Sequence, residues 1–423
     1  MNDPLKILSV NYSDSIGGAS KAAYRIHCAV NALGADSKMF VKNKELIDES
    51  ILELSDFHNT NISNRIYSYV QNKIKNKIQH YQWNKYPNRE NVLLSDLRSV
   101  SLHGPLQKID YDLLHLHWIN FRFLDLNELR KINKPVVWTL HDCWLFTGGC
   151  HYFNECENYR DSCGNCPLLH SNSADDLSRR LWKQKNKILS SINIHIVTPS
   201  QWLADCVKNS SLLSRFPVTV IPNCLDTEIY TQYESKLTPE NRTDNGKKKI
   251  LFGAMNATGD KRKGFDKMLE SISILEKTEI ADKLEFLVFG ADKPINELQT
   301  KIPIRYLGYL TDEQYIVAAY NEADVMVVPS LWEVFGQTAS EAMSCGVPTV
   351  AFNCSGIKEV IVHKKTGYLA KSYSIEDLAK GIIWCLENNI NKTLSRNARK
   401  RVEDNYTPDK VGEKYLKLYK ELS

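Results

Sequence analysis

Two glutamates, Glu333 and Glu341, stand eight positions apart in the run Pro329-Ser330-Leu331-Trp332-Glu333-Val334-Phe335-Gly336-Gln337-Thr338-Ala339-Ser340-Glu341-Ala342-Met343. Such a pair can hold hydroxyls. Carboxylates accept hydrogen bonds from the hydroxyls of ribose or hexose, while backbone N–H groups near Phe335, Gly336, Gln337 and Thr338 suit a phosphate. By spacing alone the two glutamates also fit a solvated helix face. The elements that must position them favour the ligand. Val325-Met326-Val327-Val328 is an unbroken apolar run, as expected of a parallel strand buried on both faces, and residues 337–344 read as a short helix closed by Gly346. Glu333 then lies beyond the carboxyl end of a strand and Glu341 on the next helix, at the crevice where open α/β sheets bind ligands. The pair reads as a sugar-nucleotide grip.

Three other loops carry groups of matching chemistry. Arg262 and Lys263, in Gly259-Asp260-Lys261-Arg262-Lys263-Gly264-Phe265, stand between a strand and a helix. Two fixed positive charges there can neutralise a departing diphosphate without a metal; alone, they read as a solvated basic turn. Gly17-Gly18-Ala19-Ser20 follows the first strand and opens an amphipathic stretch over 21–33, so backbone could approach a phosphate at a favourable helix dipole; an ordinary tight turn is the alternative. The glycines do not match G-x-G-x-x-G, which counts against a dinucleotide oxidoreductase. Val137-Trp138-Thr139-Leu140-His141-Asp142 reads as a buried strand ending in polar residues, with His141 either a structural hydrogen-bonder or a site residue. His115 and His117 alternate on one strand face and are expected to line a cleft, not to ligate a metal. With no D-x-D pair near a strand end, a metal-clamped diphosphate is not expected.

The pattern P-S-x-x-E-x-F-G-x-x-x-x-E-A-M-x-x-G-x-P, from Pro329 to Pro348, resembles the signature of the retaining, two-Rossmann-domain (GT-B) glycosyltransferases of family four. Val334 stands where many members carry Gly. The resemblance runs from about Ile7 to Tyr415. It implies α/β architecture with two doubly wound parallel sheets facing across a cleft. It further implies that Glu333 and the amides of Phe335, Gly336, Gln337 and Thr338 contact the donor sugar and phosphate, and that Glu341 holds the ribose hydroxyls. Gly17 and Gly18 would lie over the diphosphate, Arg262 and Lys263 would bind it, and His141 would touch the donor sugar near the reacting carbon, with Asp142 orienting it. Members often have Arg directly after the strand glycine; here that position is Ala254, and Lys261 is the candidate replacement. The implied reaction is transfer of a sugar from a UDP- or GDP-sugar to a saccharide or polyprenyl-linked saccharide hydroxyl, with retention of configuration. No metal is expected in catalysis, and no nucleic acid as partner.

Cys150, Cys156, Cys163 and Cys166 are spaced C-x5-C-x6-C-x2-C and end in Cys-Gly-Asn-Cys. Thiolates so spaced can surround a tetrahedral zinc ion, with His151 as a substitute ligand; unliganded thiols or disulfides are the rival readings. Four thiolates would close the coordination sphere, so the ion would be structural, holding the excursion 146–173 as a flap beside His141. Residues 62–85 place Ile66, Val70, Ile74 and Ile78 at four-residue steps, interleaved with Arg65, Lys73, Lys75 and Lys77. That pattern suits an interfacial helix on anionic lipid, or a helix packed on its own domain with a solvated basic face.

The chain has 423 residues, enough for two domains each with its own core. Fifty-four Lys and Arg against 50 Asp and Glu leave a net charge of +4, too mild to suggest nucleic-acid binding. No run reaches membrane-spanning length and no secretory signal is visible, so a cytoplasmic protein with reduced cysteines is expected, with the inner membrane face as a candidate place of work. Strand candidates alternate with helical patterns in two series, 5–10 to 218–221 and 249–253 to 349–352. These imply an N-terminal domain over 1–225 and a C-terminal domain over 226–406, with 407–423 crossing back onto the first. A nucleotide-sugar epimerase or hydrolase of the same fold, or a non-catalytic sugar-nucleotide binding module, are the competing readings.

Overall fold

The computed structural model describes residues 3–57, 84–90, 102–121, 123–233, 246–293 and 300–423. The chain divides into two compact units, the first formed by 1–199, 203–221 and 412–423, the second by 200–202 and 222–411.

The first unit is built on a seven-stranded sheet in the order β3-β2-β1-β4-β5-β6-β7, every pairing parallel. Its strands are β1 (Lys6–Ser13), β2 (Asp36–Asn43), β3 (Ile51–Glu53), β4 (Leu113–Leu116), β5 (Val136–Thr139), β6 (His195–Thr198) and β7 (Val218–Val220). β4 and β5 are buried along their whole length, which a parallel sheet covered on both faces requires. The short edge strand β3 gives little apolar signal, and its pairing with β2 is what defines it.

The helix Pro408–Leu422 belongs to this unit from Gly412 onward. Its apolar residues Tyr415, Leu418 and Tyr419 are buried. Tyr419 Oη lies 2.7 Å from His115 Nδ1, and Tyr415 Oη lies 3.0 Å from Thr139 Oγ1. Gly412 allows the approach: a Cβ there would stand 2.8 Å from Leu33 Cδ1 and 3.1 Å from the Ala29 carbonyl oxygen, at the helix Gly17–Ala32.

The second unit has a six-stranded parallel sheet, β10-β9-β8-β11-β12-β13, with strands β8 (Lys248–Gly253), β9 (Leu284–Phe289), β10 (Ile304–Gly308), β11 (Val325–Val328), β12 (Thr349–Phe352) and β13 (Gly367–Ala370). β11 is central and fully buried, flanked by β8 and β12. Two apolar clusters cover the sheet, one containing Leu251, Met326 and Ala351, the other Ile250, Val327 and Val350. The alternation of neighbouring strand residues between clusters is the period-two geometry of a strand buried on both faces. The edge strand β13 lies outside the strands expected from the sequence; it is placed by its ladder with β12.

Candidate functional site

In the second unit, the chain leaves β11 at Val328, and the helix Gln337–Ser344 begins eight residues after Pro329. Between them Glu333 is fixed from two sides. Its backbone N–H donates to Ser355 Oγ at 3.0 Å, and its carboxylate accepts from Lys263 Nζ at 2.6 Å. Arg262 Nη1 stands 3.9 Å from the same oxygen and donates to the Trp332 carbonyl at 3.1 Å. Asp260 positions the basic turn, accepting from the Arg262 backbone N–H and side chain. Gly264 is required at its end: φ is +73°, and a Cβ there would lie 2.1 Å from the Pro329 carbonyl oxygen. Burial pushes the Glu333 carboxyl upward, but Lys263 and Arg262 outweigh it and hold the group below its ordinary value of 4.5. The site therefore presents an ionised carboxylate beside two cations. Lys261 is exposed.

Gly336 caps the helix with φ +102°, where a side chain would meet Ile357, and no side chain caps the helix start. The first turn carries no acidic residue, which leaves the positive end of the helix for an anion. Phe335 is buried and packs edge-on against Tyr406, so its side chain serves the core while its backbone stays in the turn. Glu341 lies on the helix, buried, and accepts from Tyr320 Oη at 3.0 Å. Gln337 and Thr338 form the first turn of the same helix.

In the first unit, Gly17 adopts φ +88° and opens the helix Gly17–Ala32, with Gly18 exposed beside it. Asn11 braces this turn: its Nδ2 donates to the Ser13 carbonyl and Ser20 Oγ, and its Oδ1 accepts from the Trp118 backbone N–H. His141 follows β5, its Nε2 3.1 Å from His117 Nδ1. Burial lowers the pKa of His141 to about 4 and of His115 to about 3, and His117 shifts the same way. All three rings are neutral at physiological pH.

Two expectations are corrected here. His115 does not line a cleft: it is wholly buried between Thr139 and Tyr419, while His117 alone of the two reaches a cavity. Among the described residues Asp142 does not hydrogen-bond to His141. It accepts from Trp118 Nε1 at 2.7 Å, the Trp144 backbone N–H at 2.8 Å and His151 Nδ1 at 2.6 Å. Burial raises the Asp142 carboxyl, and these partners, His151 first, bring it below its ordinary value. His151 is thus committed to Asp142. A histidine nine positions downstream, in a cysteine-rich stretch, carries no sequence signal for that pairing.

The four cysteines are free thiols that line one cavity with Phe153 and Tyr159. Burial pushes Cys150 and Cys163 up to about 12 and raises Cys166 as well. The Gly148 backbone N–H donates to Cys163 Sγ at 3.1 Å, and Cys163, Gly164 and Asn165 all have positive φ. Among the described residues, no group of three or more His, Cys, Asp or Glu side chains is gathered as a metal cage. Of the stretch 62–85, residues 62–83 lie outside the described residues. No helix among the described residues is long and apolar enough to cross a membrane.

Two doubly wound parallel sheets, with a Lys–Glu pair and a glycine-capped helix after the central strand of the second, define the GT-B class of α/β protein. Family models match both halves: "Glycosyltransferase Family 4" over residues 62–229 and "Glycosyl transferases group 1" over residues 236–401. The chain belongs to the GT-B glycosyltransferases of family four. It is 27% identical over 284 residues to the putative colanic acid biosynthesis glycosyl transferase WcaC of Escherichia coli, a match covering 65% of each chain and thus less than two thirds of that relative's length. It is 30% identical to a Campylobacter jejuni protein, N,N'-diacetylbacillosaminyl-diphospho-undecaprenol alpha-1,3-N-acetylgalactosaminyltransferase, over 45% of this chain and 50% of that one. Among solved structures, HepE of Anabaena in complex with UDP-glucose shares the fold with a TM-score of 0.63 at 16% identity, covering 99% of this chain and 100% of that one.

Proposed function

We propose that this protein transfers a sugar from a nucleoside diphosphate sugar, UDP or GDP, to a hydroxyl of a saccharide or lipid-linked saccharide, with retention of anomeric configuration. The observation that carries the reading is the contact of Lys263 and Arg262 with Glu333 immediately before the uncapped start of the helix Gln337–Ser344. Cations, backbone amides and a carboxylate on one loop system match the three parts of the donor: diphosphate, its bridging oxygens and sugar hydroxyls.

In this mechanism, Lys263 and Arg262 stabilise the charge that develops on the leaving diphosphate, aided by the amides of the helix start, and no metal takes part. Glu333 and the adjoining amides orient the transferred sugar, and Glu341 takes the ribose hydroxyls. The acceptor hydroxyl attacks on the face from which the diphosphate departs, and its proton passes to a phosphate oxygen. The neutral His141 lies beside the transferred sugar, Gly17 and Gly18 approach the diphosphate, and no side chain forms a covalent intermediate. The names of the E. coli and C. jejuni relatives support a place in surface polysaccharide or lipid-linked glycan assembly. The proposed location is the cytoplasm, at the inner face of the membrane, with residues 62–85 as the contact. The same reading gives the four cysteines a structural role around zinc; they line one cavity but are not gathered as a metal cage, so binding would draw them together.

A panel of UDP- and GDP-sugars, scored by thermal shift and nucleotide release with and without added acceptor, tests the activity. NMR of the product's anomeric proton tests retention. Release without transfer to any acceptor would make the protein a hydrolase, and inversion would remove the stereochemical reading.

A further inference from the structure

Lys263 and Arg262 fix the carboxylate of Glu333, and a different turn fixes its backbone. The chain leaves β12 at Phe352 into Asn353-Cys354-Ser355-Gly356, beside the loop 329–336 that leaves β11, because the two strands are parallel neighbours. Four contacts join turn to loop. Ser355 Oγ accepts from the Glu333 backbone N–H at 3.0 Å, and the Gly356 N–H donates to the Glu333 carbonyl at 2.8 Å. Cys354 Sγ lies 3.6 Å from the carbonyl oxygens of both Ser330 and Leu331. Both main-chain polar groups of Glu333 are therefore held by one turn.

Ser355 holds its part in a strained backbone. Its φ is +48°, in the left-handed region that side chains other than glycine seldom occupy, and the residue is only 8% exposed. Glycine would take this φ freely. Residues kept in such conformations are held there by their surroundings, and they cluster at functional sites. What glycine could not supply is the hydroxyl, whose Oγ accepts from Glu333 and donates toward Cys354 Sγ at 3.8 Å. A main-chain shift of about 1 Å at Glu333 would carry its carboxylate off a bound hydroxyl, since hydrogen bonds weaken beyond about 3.2 Å.

We propose that Ser355 is a positioning residue for Glu333: its left-handed backbone aims Oγ at the Glu333 N–H and so fixes where the carboxylate meets the transferred sugar. The inference rests on the transferase reading for the task of Glu333, which is to orient that sugar. The diphosphate and ribose fall to Lys263, Arg262 and Glu341, so loss of the Ser355 hydroxyl spares the nucleotide and disturbs the sugar.

The test uses the full-length chain and two variants. Ser355→Gly deletes the hydroxyl and relieves the backbone, whereas Ser355→Ala deletes the hydroxyl and keeps the strain, so the glycine variant has the higher Tm of the two. Their kinetic loss is shared. In both, kcat at saturating nucleotide sugar falls about tenfold, as for one lost hydrogen bond, while the affinity for UDP or GDP, read by calorimetry, is unchanged. A merely structural role would leave the glycine variant with wild-type kcat, and that result overturns the proposal, as does a loss of nucleotide affinity in parallel with kcat. Hydrogen exchange of the Glu333 amide, read by mass spectrometry, needs no turnover. Ser355→Gly quickens it by about tenfold or more, and unchanged exchange overturns the contact. If exchange quickens but wild type transfers sugar from no UDP- or GDP-sugar, the hold of Ser355 on Glu333 stands and the transferase reading falls.

Discussion

Lys263 Nζ and Glu333 Oε1 are 2.6 Å apart although 70 positions separate them in the chain. The lysine ends the turn after β8, the glutamate sits in the turn after β11, and these strands are neighbours in the sheet. The contact holds a cation and an anion at one strand edge, both largely withdrawn from water, where charge acts strongly on a bound diphosphate.

Lys263→Ala should therefore slow transfer about a hundredfold at saturating donor, since one such stabilising group is commonly worth about 3 kcal/mol of transition-state energy. Steady-state kcat measures this. Near-normal turnover would remove Lys263 from the phosphate assignment.

Tyr320→Phe deletes the hydroxyl that donates to Glu341 inside the core. The loss should destabilise the fold by about 1–2 kcal/mol and raise the donor KM, because the carboxylate loses the partner that orients it. Denaturant titration and donor saturation curves check the two effects; unchanged donor KM would disconnect Glu341 from ribose binding.

Acid should unfold the protein early. His27, His115 and His141 have folded pKa values lowered by burial to about 4, about 3 and about 4, against 6.5 in the unfolded chain. The unfolded state binds more protons below pH 6.5, so stability present at neutral pH is lost as pH falls from there toward the folded values. Each histidine contributes a slope of about 1.4 kcal/mol per pH unit. Urea titrations between pH 6.5 and 4.5 should show it, and a flat profile would contradict the buried neutral state. His117 is lowered in the same way, so His27→Asn should reduce the slope by about a quarter.

Purified, reduced protein should carry about one zinc per chain by ICP-MS, and Cys166→Ser should lower both metal content and Tm. Metal-free reduced protein of unchanged Tm would leave the four cysteines as buried thiols.

Much of the architecture is legible in the amino-acid order. β4, β5, β9, β11 and β12 are buried along their whole length and rich in apolar residues, β11 without interruption and the others with a single polar residue each, His115, Thr139, Glu285 and Thr349, and burial leaves a compositional mark that needs no knowledge of neighbours. β3 and β13 escape that reading, since an edge strand of three or four residues is defined by the ladder it joins. The run from Ser330 to Pro348 likewise announces its turn, its glycine cap and its two carboxylates, all of which are local.

What the sequence by itself determined is this local content: which segments must be buried, where the turns carry glycine, and which loops hold charge. Only the tertiary structure decided the partners. It set Lys263 on Glu333, gave Asp142 to His151 and not to His141, buried His115 under Tyr419 from 304 positions away, and turned Ser355 onto the Glu333 N–H. The physical reason is that side-chain hydrogen bonds and ion pairs act over about 3 Å. Contacts of that reach between distant residues depend on strand order, register and packing, none of which is written in periodicity or spacing.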